Sequence, residues 1–159
     1  MADGLGERHL AVCRRFGESV RAAHGKWDRA SPCDAWDARG VLEHVIGFHD
    51  VLLLRPLGLK PDRPRDEPQI RWELTYTALE KAFEPDQGLL ERVVDIPELQ
   101  GNPAVRRDAH AMMPNLTRDV LVHTWDLARA VGDQSDVQSK LLARLGRNPE
   151  WRPPGNQPS

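Results

Sequence analysis

The sequence has little that would tie it to a membrane, a disulfide framework or nucleic acid. Only two of its 159 residues are cysteine, and they do not form a CxxC pair. No apolar run approaches the roughly 18 residues that a membrane span requires. The first residues, MADGLGERHL, lack the apolar segment of a signal peptide. The net charge is −2, and the basic residues are scattered. We therefore expect a cytoplasmic protein with no nucleic-acid or membrane partner.

The common catalytic motifs are also missing. The chain has no P-loop, no GxGxxG and no nucleophile elbow. Cys33, within SPCDAW, lies near a predicted helix start, a position that can lower the pKa of a thiol. A small, buried and unreactive cysteine is the commoner outcome for such a residue. These absences leave the histidines and carboxylates as the main candidates for chemistry.

The first half of the chain shows the apolar periodicity of helices. Apolar residues recur at helical spacing over about residues 4–24, which predicts a first helix. A second helix is expected to begin after Asp37, whose carboxylate suits an N-cap, and to run to about Leu54. Proline and glycine follow as stop signals, and a third helix is predicted over about residues 69–83.

The next segment is less regular. RVVDI, residues 92–96, is short and β-branched, so we expect it to be extended, although it is too small to form a sheet alone. GNPAV is typical of a helix start, with Asn102 as N-cap and Pro103 in the first turn. This fourth helix is expected to continue to Val131, with a kink at Pro114 and a glycine stop.

Four sizeable helices predict an all-α protein. We expect a four-helix bundle in residues 1–132, with a short extended segment between helices three and four. Residues 133–159 are predicted to form a short helix, in DVQSKLLARLG, and a disordered tail rich in proline and polar residues.

Three ionisable residues interrupt the apolar faces of two predicted helices. His123 lies between Val120 and Leu127 on the stripe of the last helix, and Asp119 precedes it by one turn on the same side. His44 occupies a similar position on the second helix. We expect all three side chains to point into the bundle core.

Burial of these groups requires partners, because an unpaired buried polar group costs about 1–3 kcal/mol and a bare carboxylate costs more. One interpretation is mutual hydrogen bonding between Asp119 and His123, with His44 bonded to water or backbone. The other is a metal ion, since imidazole and carboxylate are ligands of zinc and helical bundles build such sites from facing helices. The residues alone leave both alternatives open.

The remaining histidines can be placed by their angle around a helix. His49 is five residues beyond His44, so it should point well away from it. His110 is expected to lie far round from His123, and His24 should be exposed at the end of the first helix. His9 falls on an apolar stripe and is a reserve ligand. The tryptophans are expected to pack rather than to bind ligands, namely Trp27, Trp36, Trp72 and Trp125.

Two motifs resemble those of the DinB-like superfamily. SPCDAWDARGVLEHVIG contains a Pro-Cys-x-x-Trp entry that leads to a histidine on the second helix, and DVLVHTWDLARAVG contains a His-Thr-Trp-Asp-Leu-Ala helix. The resemblance covers roughly residues 5–132. It is strongest to the actinobacterial branch of mycothiol-dependent maleylpyruvate isomerase-like proteins.

This resemblance implies a four-helix bundle that holds a divalent metal, usually zinc or nickel, between the second and last helices. Carried over by position, the metal ligands are His44, Asp119 and His123. Asp119 stands where the maleylpyruvate isomerase has a glutamate and where many other relatives have a histidine.

The resemblance also implies a function. Three protein ligands leave one coordination position open, and a thiol bound there would be deprotonated at neutral pH. Mycothiol or another low-molecular-weight thiol would then attack a small electrophile, in an S-transfer or an isomerisation. The alternative is a metal-binding or stress-response bundle without catalysis. Because such bundles often pair through helix faces, a homodimer is expected.

Overall fold

The computed structural model describes residues 4–98, 101–132, 146–148, 150–152 and 154. The chain is mostly helical with a small antiparallel sheet, so the prediction of a mainly helical protein is confirmed. The α-helices are α1 (Leu5–Ala22), α2 (Ala38–His49), α3 (Pro68–Ala82) and α4 (Ala109–Val131), and the strands are β1 (Val93–Ile96) and β2 (Val105–Asp108). None of the helices in the described part of the chain combines the length and apolar character that a membrane span requires.

The core lies where α1 packs against α4 and α3, and where α2 packs against α4. Its largest fully buried apolar side chains come from all four helices and the turn after α2, and include Phe16, Leu42, Ile46, Leu53, Leu79, Met113, Trp125 and Leu127. The apolar stripe predicted on the last helix is buried as expected. This packing sets α2 and α4 side by side, and the polar side chains that interrupt their apolar faces lie between them.

Helix α2 starts as predicted and ends earlier than predicted. The Asp37 carboxylate accepts a hydrogen bond from the Gly40 N–H at 2.8 Å, so the N-cap is confirmed. After His49 the chain forms a π-helical turn over Asp50–Leu54 and then a short 3₁₀ turn, where a continuous α-helix to Leu54 was expected. Asp50 is buried in this wider turn and accepts two hydrogen bonds from Arg63, at 2.6 and 2.9 Å.

The predicted start of the fourth helix at Asn102 is wrong. Residues Val105–Asp108 form a strand that pairs with β1, with Val105 opposite Ile96. Helix α4 begins only at Ala109, where the Asp108 carboxylate accepts from the N–H of His110 at 3.1 Å. The extended segment predicted at residues 92–96 is confirmed, and its unpaired backbone groups explain why a second strand displaces the helix start.

Helix α4 continues through Pro114 and ends at Gly132, whose φ of 79° is the left-handed conformation that favours glycine. The predicted C-terminal stop is therefore confirmed. The short helix predicted after this point, in residues 133–145, lies outside the described residues. So does most of the tail for which disorder is predicted.

Candidate metal centre

The structure brings the three predicted ligands together. His44 from α2 and Asp119 and His123 from α4 each offer a donor atom, and these atoms lie within 4.8 Å of one another. We call this group the outer cluster. The packing of α2 against α4 places His44 opposite the two residues that are one helical turn apart.

The Asp119 carboxylate lies between the two imidazoles. Its Oδ1 is 3.6 Å from Nε2 of His123, and its Oδ2 is 3.6 Å from Nε2 of His44. These distances exceed those of good hydrogen bonds. Nitrogen and oxygen atoms bound to one tetrahedral zinc ion lie about 3.3 Å apart, given bonds of about 2.0 Å. The donor types and their separations therefore fit a divalent metal ion better than a set of mutual hydrogen bonds.

The expectation that all three side chains point into the bundle core is wrong for His44 and Asp119, because the outer cluster lies at the rim of the helix pair. The side chains of Asp119 and His44 are 44% and 33% exposed, whereas that of His123 is only 5% exposed. The cluster therefore has a buried back and an open front. An open front leaves room for a small molecule beside the three ligands, as in catalytic rather than closed structural sites.

Asp126 supports His123 from behind. Its carboxylate is fully buried and accepts a hydrogen bond from Nδ1 of His123 at 2.9 Å. Because a carboxylate oxygen accepts, Nδ1 carries the proton that it donates to Asp126, and Nε2 is the ring atom that faces Asp119. Arg147 donates to both oxygens of Asp126, at 2.7 and 2.9 Å. A carboxylate that orients a ligating histidine in this way is typical of metal sites.

Sequence reasoning missed the role of Asp126. The signal was present, since Asp126 follows His123 by three residues in the His-Thr-Trp-Asp motif and so lies on the same helix side. No local pattern points to Arg147, which belongs to the segment predicted to be a disordered tail. Its contact with Asp126 spans 21 positions of the chain.

Trp36 forms one wall of the outer cluster. Its ring stacks on His44 with 4.4 Å between centroids, and it lies in an edge-to-face arrangement with His123 with 5.8 Å between centroids. The sequence predicts that Trp36 only packs, but the side chain is partly exposed and covers a ligand. The Ser31 hydroxyl donates to its carbonyl at 2.6 Å and helps to fix the loop. Phe48 contacts His44 from another side, at 5.4 Å.

The ionisable groups of the outer cluster perturb one another. Burial opposes ionisation of Asp119, but the neighbouring His123 and His44 outweigh it and hold the pKa of this carboxyl well below its usual range. Burial likewise opposes a charge on His123, but its contacts with Asp119 and Asp126 raise its pKa to about 8. Asp119 is therefore a carboxylate, with its lone pairs available, throughout the neutral range.

A second group of donors lies in the core. His9 and Cys13 of α1 and His49 at the end of α2 are all fully buried, and their donor atoms also lie within 4.8 Å of one another. We call this group the inner cluster. His9 had been considered a reserve ligand for the outer cluster, but the structure places it in this other group. His49 points away from His44 as predicted.

The remaining residues considered in the sequence belong to neither cluster. His24 and His110 are exposed, and Trp72 and Trp125 are buried. Cys33 is a free and partly buried thiol.

A cleft of about 520 Å³ beside the loop before α2 is lined by Asp28, Ala30, Ser31, Asp34, Ala35, Trp36, Asp37 and Gly40. It shares Trp36 with the wall of the outer cluster.

No family model matches the sequence, and no curated protein or solved structure is significantly similar to it. The likeness to the DinB-like superfamily therefore depends on the two sequence motifs alone. The geometry of the two clusters is independent of that likeness.

Proposed function

We propose that this chain is a DinB-like four-helix bundle that binds a divalent metal, zinc or nickel, and acts as a mycothiol-dependent S-transferase or isomerase. The observation that carries the metal site is the convergence of His44, Asp119 and His123 from two helices. The two sequence motifs supply the likeness to the thiol-dependent branch.

The donor set suits such an ion. Two imidazole nitrogens and one carboxylate oxygen are ligands that zinc and nickel accept. When bound, the ion would supply Lewis acidity and an open coordination position at which a thiol loses its proton near neutral pH.

The chain's own residues prepare this site in three ways. Asp126 holds His123 in the tautomer whose Nε2 faces the cluster. Trp36 shields one face of His44 from water. The exposed edges of His44 and Asp119 leave the front open to a small molecule.

The cleft next to Trp36 is the place we assign to the polar part of the thiol. Its lining offers carboxylates and a hydroxyl, from Asp28, Asp34 and Ser31 among others. Such groups accept hydrogen bonds from the hydroxyls of a sugar-like molecule. The electrophile would approach from the open front of the outer cluster. We also propose, as the sequence leads us to expect, that the protein is cytoplasmic and forms a homodimer.

Elemental analysis of the untagged protein tests the metal site. We expect bound zinc or nickel in the wild type, and loss of one equivalent per chain in His44→Ala and in His123→Ala. His24→Ala, which alters an exposed histidine, is the matched control and should retain the metal. A metal-free wild type whose variants behave identically would refute the site.

Catalysis needs a separate assay. Turnover of monochlorobimane with mycothiol, lost in His44→Ala and retained in His24→Ala, would support a thiol transferase. Metal retention without thiol-dependent turnover would support the non-catalytic alternative instead.

A further inference from the structure

The inner cluster has an unusual arrangement of nitrogen lone pairs. Nδ1 of His49 lies 2.7 Å from the carbonyl oxygen of Val45, so it carries a proton and donates it. Nε2 of His49 therefore presents a lone pair in the core. This atom lies 2.8 Å from Nε2 of His9. Either a hydrogen atom carried by Nε2 of His9 or a metal ion must therefore lie between the two nitrogens.

Cys13 adds a third donor at the same point. Its sulfur lies 3.9 Å from Nε2 of His49 and belongs to the same helix face as His9, four residues earlier. Nδ1 of His9 lies 2.9 Å from the hydroxyl of Thr117, which fixes the ring from behind. Each histidine is thus oriented by a hydrogen bond to its other nitrogen, as ligating histidines are.

We propose that His9, Cys13 and His49 form a second, closed metal site that takes a thiophilic ion, with zinc as the natural occupant. The proposal does not rest on the outer cluster or on the assigned activity. Two imidazoles and a thiolate are a donor set that zinc accepts, and the thiolate would offset part of the ion's charge in the core.

The geometry requires only small movements. In a tetrahedral zinc site two nitrogens lie about 3.3 Å apart, and a nitrogen and a sulfur lie about 3.6 Å apart. The observed separations are 2.8 Å for the two nitrogens and 3.9 Å for nitrogen and sulfur. Side-chain rotations that move the donor atoms by about half an ångström would close both differences.

Such a site would be structural. All three side chains are fully buried, so no donor faces solvent as His44 and Asp119 do in the outer cluster. The ion would join α1 to the end of α2, just before the π-helical turn. Because closed sites couple metal binding to folding, loading is expected during folding rather than by diffusion into the folded core.

Cobalt(II) is the probe that distinguishes this site from the outer one, because a cobalt–thiolate bond gives a near-ultraviolet charge-transfer band that nitrogen and oxygen ligands do not. The chain should be refolded with cobalt(II). In Cys33→Ser the only remaining thiol is that of Cys13, so the band should persist. In Cys13→Ala the band should vanish, and in His44→Ala it should persist.

Zinc content provides the second measurement. We expect two equivalents per wild-type chain, one in Cys13→Ala and one in His44→Ala. A wild type with one zinc and a cobalt–thiolate band would refute the outer site and leave this proposal standing. A folded Cys33→Ser protein that shows no band would overturn the proposal, even if Cys13→Ala failed to fold. In that case a neutral hydrogen bond between His9 and His49 accounts for the cluster.

Discussion

Acid should destabilise the metal-free protein through its two core histidines. His9 is fully buried, and burial lowers its pKa to about 4. Burial, and then the neighbouring His9, lowers the pKa of His49. In the unfolded chain both titrate near 6.5. Because the unfolded state binds these protons more readily, stability is complete above about pH 6.5 and is lost as the pH falls toward the folded values.

The size of the effect follows from His9. A shift from 6.5 to about 4 corresponds to roughly 3 kcal/mol, at about 1.4 kcal/mol per pKa unit. By about pH 4.5 most of this, about 2.5 kcal/mol, should be lost. His49 adds to the loss in the same direction. A small domain has only about 5–15 kcal/mol of total stability, so the change is large.

His123 and Asp119 act in other pH ranges. The pKa of His123 is raised to about 8, so its contribution is complete below about pH 6.5 and is lost as the pH rises through 8. Asp119, with a lowered pKa, loses its contribution only below the ordinary range of a carboxyl group. The free energy of unfolding should therefore reach its maximum near pH 6.5.

Urea denaturation followed by circular dichroism, in chelator, measures this dependence at about pH 7 and pH 4.5. His9→Gln removes one ionisable ring and should flatten the acid limb by about 2.5 kcal/mol. His24→Gln changes an exposed histidine and should keep the wild-type slope. Equal acid slopes in His9→Gln and wild type would refute the assignment of the effect to the inner cluster.

Two further substitutions probe the support of the outer cluster. Asp126→Asn removes the carboxylate that orients His123 and should weaken zinc binding about 10–100-fold in a competition titration. Gly40→Ala would place a Cβ 2.6 Å from that of Trp36, so it should cost about 1–3 kcal/mol and disturb the stacking on His44. Gly47→Ala on the same helix meets nothing within 4 Å and should instead stabilise by about 0.5–1 kcal/mol.

For each of these substitutions, one experimental result would contradict the effect that we expect. Asp95→Asn alters a carboxylate that is 77% exposed on β1 and should leave zinc affinity unchanged. Equal affinities for Asp126→Asn and Asp95→Asn would show that Asp126 does not orient the ligand. A Gly40→Ala protein as stable as Gly47→Ala would show that the loop moves freely and that Trp36 is not fixed against His44.

Local patterns predicted most of the helices because the relevant forces are local. Apolar periodicity located the first three helices, and the Asp37 cap sets the start of α2 within hydrogen-bond reach of Gly40. The start of α4 could not be found in the same way. Asn102 and Pro103 carry good local signals for a helix, but β1 needs a partner strand, and that pairing depends on residues about a dozen positions apart.

The two clusters differ in how far sequence reasoning could reach. The outer one follows from an i, i+4 spacing on α4 and a histidine on the apolar face of α2, and the structure does bring these together. For the inner one, His9 and Cys13 also have an i, i+4 spacing on α1. Their third member was missed because His49 was judged only by its angle to His44. That angle was right, but the side facing away from His44 is the side facing α1.

Helices α2 and α4 each contact both clusters, although α1 supplies two of the inner donors, and this affects how variants must be interpreted. Helix α2 supplies His44 to one cluster and His49 to the other, five residues and about 140° apart. Helix α4 supplies Asp119 to the outer cluster and, two residues earlier, the Thr117 hydroxyl that supports His9. A substitution that shifts either helix alters both sets of donors. Total metal content alone therefore cannot assign an ion to a site, whereas the thiolate band reports only the cluster that contains Cys13.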